Sequence, residues 1–335
     1  MALFVSVATA VIAALSALFV AIYSARRSGE NQIEIETLKS KLDDERSARS
    51  ARREYEYHAR QRLYEQYEPL RFQLLEAVST AKCQIETMSE QALGERLQHL
   101  GSTPTGNYWL LGTVYHLLHP AAVLRISLRR LTLVDLRIET AIHREYVLAK
   151  AAYLLLSHDA RMAELAKLAY TPYVDGWQQK RLLDPSQFRR QGLPVGRLDN
   201  AIDTLIVRAD DGERIATFGE FEQKFDQTSL EDVSGSFGAV RDLFIDFSPV
   251  VRPVLWRMLL AQFVIYKALL TSIGRNSESL EILIEPWDAL TEAELSSLGA
   301  AKSGNERDPA FVDAARYLEI YVVPFVQDLS GTGPA

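Results

Sequence analysis

Residues 1–25 carry no charged side chain, and the run stops abruptly at Arg26 and Arg27. No other feature constrains the chain as strongly. A helix needs about 20 apolar residues to cross roughly 30 Å of hydrocarbon, and Ala2 to Tyr23 supplies that length without a glycine or proline. A helix also satisfies its own backbone hydrogen bonds, as lipid requires. A cleavable signal peptide would open on Lys or Arg and close on a small-x-small site, whereas this run opens on Met1-Ala2 and closes on Tyr23-Ser24-Ala25. The segment therefore reads as a single-pass transmembrane anchor.

Arg26, Arg27, Lys39 and Lys41 follow the run closely. Lys and Arg near a membrane span favour the cytoplasmic side, and acids count for little in that rule. The expected topology is an N-terminus outside a plasma or inner membrane and a cytoplasmic C-terminal domain. One cysteine, Cys83, precludes an internal disulfide and agrees with a reducing compartment.

Small residues in the anchor share one frame. Ala10, Ala14, Ala17, Ala21, Ser24 and Ser28 alternate spacings of four and three, and Asn31, Ile35, Leu38 and Leu42 continue the frame past the anchor. Such a seam lets helices approach closely in lipid and zip together in water. Parallel self-association along Ala10, Ala14, Ala17, Ala21, Ile35, Leu38 and Leu42 is the expectation, although Gly29 lies within this stretch.

Residues 26–66 form a second region, rich in Glu, Lys, Arg, Gln and Ala and free of proline. That composition predicts an exposed helical stalk, a single charged helix or a loose bundle with at most a weak coiled coil, because Glu45, Arg49, Arg52 and Glu56 occupy the seam positions after Leu42. Residues 67–335 then read as an all-α globular domain. The 47% hydrophobic content fills a core, and helical periodicity recurs over Leu131–Leu156, Ala160–Ala169, Leu198–Val207, Phe218–Phe225, Phe237–Phe247, Val254–Ile273 and Ala310–Val326. No stretch shows strand alternation bounded by hairpin turns. Tyr108–Leu124 is apolar enough to raise a second crossing, but His116, His119 and Pro120 interrupt it and Arg125, Arg129 and Arg130 follow. It reads as a buried helix. Pro69 is expected at a hinge or first turn, and Pro324 to kink or end the last helix.

The net charge of −7 offers no global attraction to nucleic acid or anionic lipid. Local chemistry is sparse. Asp135, Glu139 and His143, spaced by four, are expected on one helical face, engaged with Arg129, Arg137 or Arg144. Phe218, Phe221 and Phe225 are expected to pack inward, and Cys83 to be a buried small hydrophobe. The segment Thr171–Arg197 concentrates Lys180, Arg181, Arg189, Arg190 and Arg197 beside Trp177 and Phe188. With Arg125, Arg129 and Arg130 it forms a candidate anion-binding patch, since guanidinium groups and an indole suit phosphate, nucleotide or acidic peptide.

The dipeptide His158-Asp159 resembles the metal-binding pair of the metal-dependent phosphohydrolases named for it. That resemblance implies a divalent metal held also by His116 or His119 upstream and Asp199 or Asp203 downstream. Ala160-Arg161-Met162 stand where the family has a small residue and a glycine. The residues favour a non-enzymatic binding or scaffold module at the lipid bilayer, with no cofactor and with a protein partner or a second copy of itself. The alternatives are a phosphohydrolase and an anion or nucleotide sensor.

Overall fold

In a computed structural model, the described residues are 2–93, 104–131, 135–170, 191–210, 212–228, 236–244, 247, 252–274 and 309–330. Within these, only the backbone is described for 2–14, 29–33, 90, 92–93, 104–107, 225–228, 236–237, 273–274, 309–312 and 330. The chain is mostly helical and divides into two units, 1–61 and 62–335. Helix α1, Ala2–Leu93, enters both.

Within the second unit, α1 buries Leu63, Tyr67, Leu70, Leu74, Val78, Ala81 and Ile85. Spacings of three and four place these residues on one helical stripe. Burial begins at Leu63, ahead of the start of the domain expected from composition. Pro69 lies inside α1, with no new helix starting there. Its ring removes one backbone donor, and the packing of Tyr67 and Leu70 around it offsets the loss.

Helices α2 (Pro104–Arg130), α3 (Thr140–Leu155) and α4 (Ala160–Leu165) follow, with a 3₁₀ turn at Leu136–Ile138. Next come α5 (Val195–Leu205), strands β1 (Ile206–Ala209) and β2 (Gly212–Ile215), α6 (Phe218–Thr228), α7 (Ser236–Phe244) and α8 (Pro253–Gly274). The described chain closes with α9 (Pro309–Tyr317), a π-helical turn at Leu318–Val322, and α10 (Val323–Ser330).

The centre is α8, whose residues Val254–Tyr266 are all buried and which packs most extensively on α3. Pro253–Ser272 is also long and apolar enough to cross a membrane by length and composition, but 89% of it is buried in the domain. It is the core helix. Its first free N–H groups are satisfied from a distance, because Gln191 Oε1 accepts from Val254 N at 2.9 Å and Leu255 N at 3.3 Å. Unmet donors of this kind exist at every helix start. The expected burial of Tyr108–Leu124 is also observed: Leu110, Val114, Leu117, Leu118 and Ala122 of α2 are in the core.

Gly192 sits on the carboxyl end of α3. A Cβ there would lie 2.1 Å from the Ser157 carbonyl oxygen, so only glycine permits the Leu193 N–H to reach Leu156 O at 2.9 Å. Helix α4 ends in a Schellman turn, with Lys167 at φ 57° and Leu168 N bonded to Ala163 O. A capping box opens α6, in which Glu220 Oε2 accepts from Thr217 N and Thr217 Oγ1 from Glu220 N.

Four sequence expectations need correction. Strands β1 and β2 form an antiparallel hairpin, pairing Ile206 with Ile215 and Ala209 with Gly212. At four residues each they are too short to show alternation, and Gly212 takes a φ of 125° that suits the turn. Asp135 and Glu139 do not share a helix face with His143: both precede α3, Asp135 capping the 3₁₀ turn by accepting from Arg137 N–H and Glu139 standing in extended conformation just before Thr140. Cys83 is exposed, on the solvent side of α1. Pro324 does not end the last helix: a π-helical turn, Leu318–Val322, precedes it and the chain continues through it as α10.

Candidate functional site

Two arrangements in the second unit gather charge in the core. The first surrounds Arg257, the lone charged residue among the buried first turns of α8. Its Nη2 donates to Asp159 Oδ2 in a very short contact and its Nη1 to Asp313 Oδ2 at 3.3 Å. Tyr170 Oη donates to the Asp159 carboxylate, at 2.9 and 3.0 Å from its two oxygens. Tyr317 Oη donates to the Asp159 backbone oxygen at 2.6 Å, and its ring lies 5.0 Å from the Arg257 guanidinium. Four elements meet here: α4 begins after Asp159, α8 carries Arg257, α9 carries Asp313 and Tyr317, and the strand of chain leaving α4 carries Tyr170.

Burial alone, the largest influence, would raise the Asp159 carboxyl, but Arg257, His158 and Tyr170 together outweigh it and hold the group below its ordinary range. Burial alone would likewise lower the guanidinium, and Asp159 with Asp313 holds it up instead. Burial and then Asp159 push the Tyr170 and Tyr317 phenols up, so both remain donors. Such a set is costly to desolvate and costly to break. It fixes α4, α8 and α9 to one another.

His158 stands at the rim, 36% exposed, with Nδ1 3.0 Å from Asp159 Oδ1. The Ala160 N–H lies 2.9 Å from the same Nδ1. Asp159 is thus committed to Arg257 and Tyr170. Asp199 accepts from Arg125 at 3.2 Å and from Tyr153 in a very short bond. Asp203 accepts from Arg129 at 2.7 Å. His116 and His119 lie on α2 around the Tyr115 ring. Among the described residues no three His, Cys, Asp or Glu side chains converge as a metal site would need.

The second buried arrangement ties α1 to α3. Arg71 donates through Nη2 to Glu145 Oε1 at 2.9 Å and through Nε to Oε2 at 3.1 Å, and Tyr67 Oη donates to Oε2 at 2.9 Å. Glu145 is fully buried. Burial raises its carboxyl, against the pull of Arg71 and Tyr67.

Three of the arginines expected to bind an anion, Arg125, Arg129 and Arg130, are engaged within the fold. Arg125 and Arg129 meet Asp199, Asp203 and Glu213, and Arg130 donates to the Glu213 carbonyl at 3.0 Å. Arg197 is exposed at the start of α5. Trp177, Lys180, Arg181, Arg189 and Arg190 lie outside the described residues, as does Phe188. Phe221 is buried and Phe218 packs against the core as expected, while the Phe225 side chain lies outside the described residues.

Arg257 and Glu145 were missed as interaction centres, although a signal existed for each. A charge inside an apolar helical run, such as Arg257 in Val254–Ile273, is buried only with a partner. Which acid supplies it depends on contacts distant in sequence, here Asp159 and Asp313.

The first unit presents a different surface. Leu15, Leu18, Phe19, Val20, Ile22 and Tyr23 are each 59–72% exposed, and Ile35, Leu38 and Leu42 are 53–63% exposed. Ala17 and Ala21 are exposed too, while the side chains of Ala10 and Ala14 lie outside the described residues. No protein-family model, curated protein or solved structure matches the chain.

Proposed function

We propose that the chain is a single-pass, membrane-tethered helical module whose domain faces the cytoplasm and binds a protein partner or a second copy of itself. The observation that carries this reading is the exposed apolar surface of residues 15–23. Fully burying a Leu, Ile or Phe side chain is worth roughly 1.5–3 kcal/mol, and six large side chains remain in contact with solvent along nine residues. Water is a poor solvent for that surface and lipid a good one. Single exposed leucines are ordinary on soluble proteins, but a contiguous apolar helix is not.

The domain supports a binding role over catalysis. The buried carboxylate of Asp159 and the half-buried ones of Asp199 and Asp203 are held by arginines and tyrosines, so all three already have partners. The charge pattern after Tyr23 favours the cytoplasmic side for the domain. Alkaline carbonate extraction of the full chain tests the anchor. The expected result is retention in the membrane pellet, and release when Val11 and Ile12, in the middle of Ala2–Tyr23, are both changed to Arg, because each arginine at a helix centre costs about 2.5–3.5 kcal/mol on insertion. Release of the unaltered chain would refute the reading.

A further inference from the structure

Within the first unit the exposed side chains sort into two faces. At 100° per residue, Leu15, Leu18, Phe19, Val20, Ile22 and Tyr23 occupy one side of the helix, while Ala17, Ala21 and Ser24 occupy the other. The small face runs in frame into Ser28, Asn31, Ile35, Leu38 and Leu42. In heptad terms Ile35 and Leu42 fall at a, and Leu38 at d. All three are more than half exposed and have no core to enter in their own unit.

The flanking charges identify what covers them. With Ile35 at a, Glu34 falls at g and Lys39 at e of the following heptad. In a parallel pair of identical helices, each g residue meets the e residue five positions later on its partner. Glu34 then faces Lys39 of the second copy, twice by symmetry. The next such pair, Lys41 with Arg46, is like-charged, and beyond it the seam positions are Glu45, Arg49, Arg52 and Glu56. Those four pair along their own helix, Arg49 with Glu45 at 2.9 Å and Arg52 with Glu56 at 3.0 Å. Farther on, the frame reaches Leu63, which is buried in the core of the second unit.

We infer that the occupant of the Ile35–Leu38–Leu42 seam is a second copy of this chain, joined in a parallel, in-register zipper limited to Glu34–Leu42. This rests on the membrane-anchor reading. Three apolar layers are too few to hold two free helices together in water; two anchors confined to one bilayer raise their effective concentration and impose the parallel orientation. The like-charged pair after Leu42 ends the zipper, and the two charged stalks separate beyond it.

The test uses purified full chain in liposomes, with Cys83→Ser removing the native thiol and single cysteines introduced by oxidative cross-linking design at Leu38→Cys (d) or Ser40→Cys (f). Efficient disulfide dimer from L38C and several-fold less from S40C is expected. Adding Lys39→Glu to L38C should lower the dimer fraction at least twofold, and adding Glu34→Lys as well should restore it. Equal cross-linking at positions 38 and 40, or no rescue by the charge swap, would overturn the inference. Absence of dimer in chain that resists alkaline extraction would overturn it and leave the anchor reading intact. Chain released by alkali would overturn both.

Discussion

Arg257 shows how one residue decides several contacts at once. Removing it would leave Asp159 and Asp313 buried without their cation, and breaking a buried pair by deleting one partner costs about 3–5 kcal/mol. Arg257→Ala is accordingly expected to lower the thermal midpoint of the full chain in mild detergent by many degrees. A midpoint within a degree or two of the unaltered chain would show that the network does not hold α4, α8 and α9 together. His119 supplies part of the pH dependence, beside His116, whose pKa burial also lowers. Burial, with a smaller contribution from His116, lowers the His119 pKa to about 4, below the ordinary 6.5. The unfolded chain therefore binds the proton more readily between those values, so stability is fully present above pH 6.5 and is lost as pH falls towards 4. The loss is about 3 kcal/mol at most. His119→Leu should flatten melting temperature against pH over that window, and an unchanged slope would assign it to other groups.

At the scale of elements, sequence periodicity located most helices to within a few residues. Val254–Ile273 against Pro253–Gly274 and Phe237–Phe247 against Ser236–Phe244 differ only at their ends, because a long apolar stripe has few other ways to be buried. Capping and turns were less legible. The Thr217–Glu220 box was present in the sequence as Thr-Phe-Gly-Glu and went unread, while the start of α3 at Thr140 depends on Asp135 and Glu139 terminating a turn rather than extending a helix. Gly192 could not be identified at all, since its requirement comes from Ser157 on a different element. Gly192→Ala is expected to destabilise the fold by roughly 1–3 kcal/mol, as the obstructing atoms are backbone and cannot swing aside. Urea midpoints of the two proteins measure this, and equal midpoints would mean that the junction of α3 with the chain before α5 yields freely.

For the whole molecule, the sequence conveyed an all-α domain and an apolar leading segment, but not the charge networks that organise the core. His158-Asp159 illustrates the limit. The dipeptide suggested a metal pair, whereas the fold places Asp159 against Arg257, 98 positions away in the chain. Arg125 and Arg129 similarly meet acids of α5 and β2 that no local pattern would select. The first unit is the reverse case: Leu15, Leu18, Phe19, Val20, Ile22 and Tyr23 stay exposed, so their chemistry was as plain in the sequence as in the fold. The central claim is that this segment anchors the domain on the cytoplasmic side. Cys83 is the sole cysteine and is exposed, so it reports sidedness without any substitution. The most direct measurement is its labelling by a membrane-impermeant maleimide in intact cells and in sealed inverted vesicles. Labelling in the inverted vesicles alone is the predicted result; labelling from outside intact cells would contradict it.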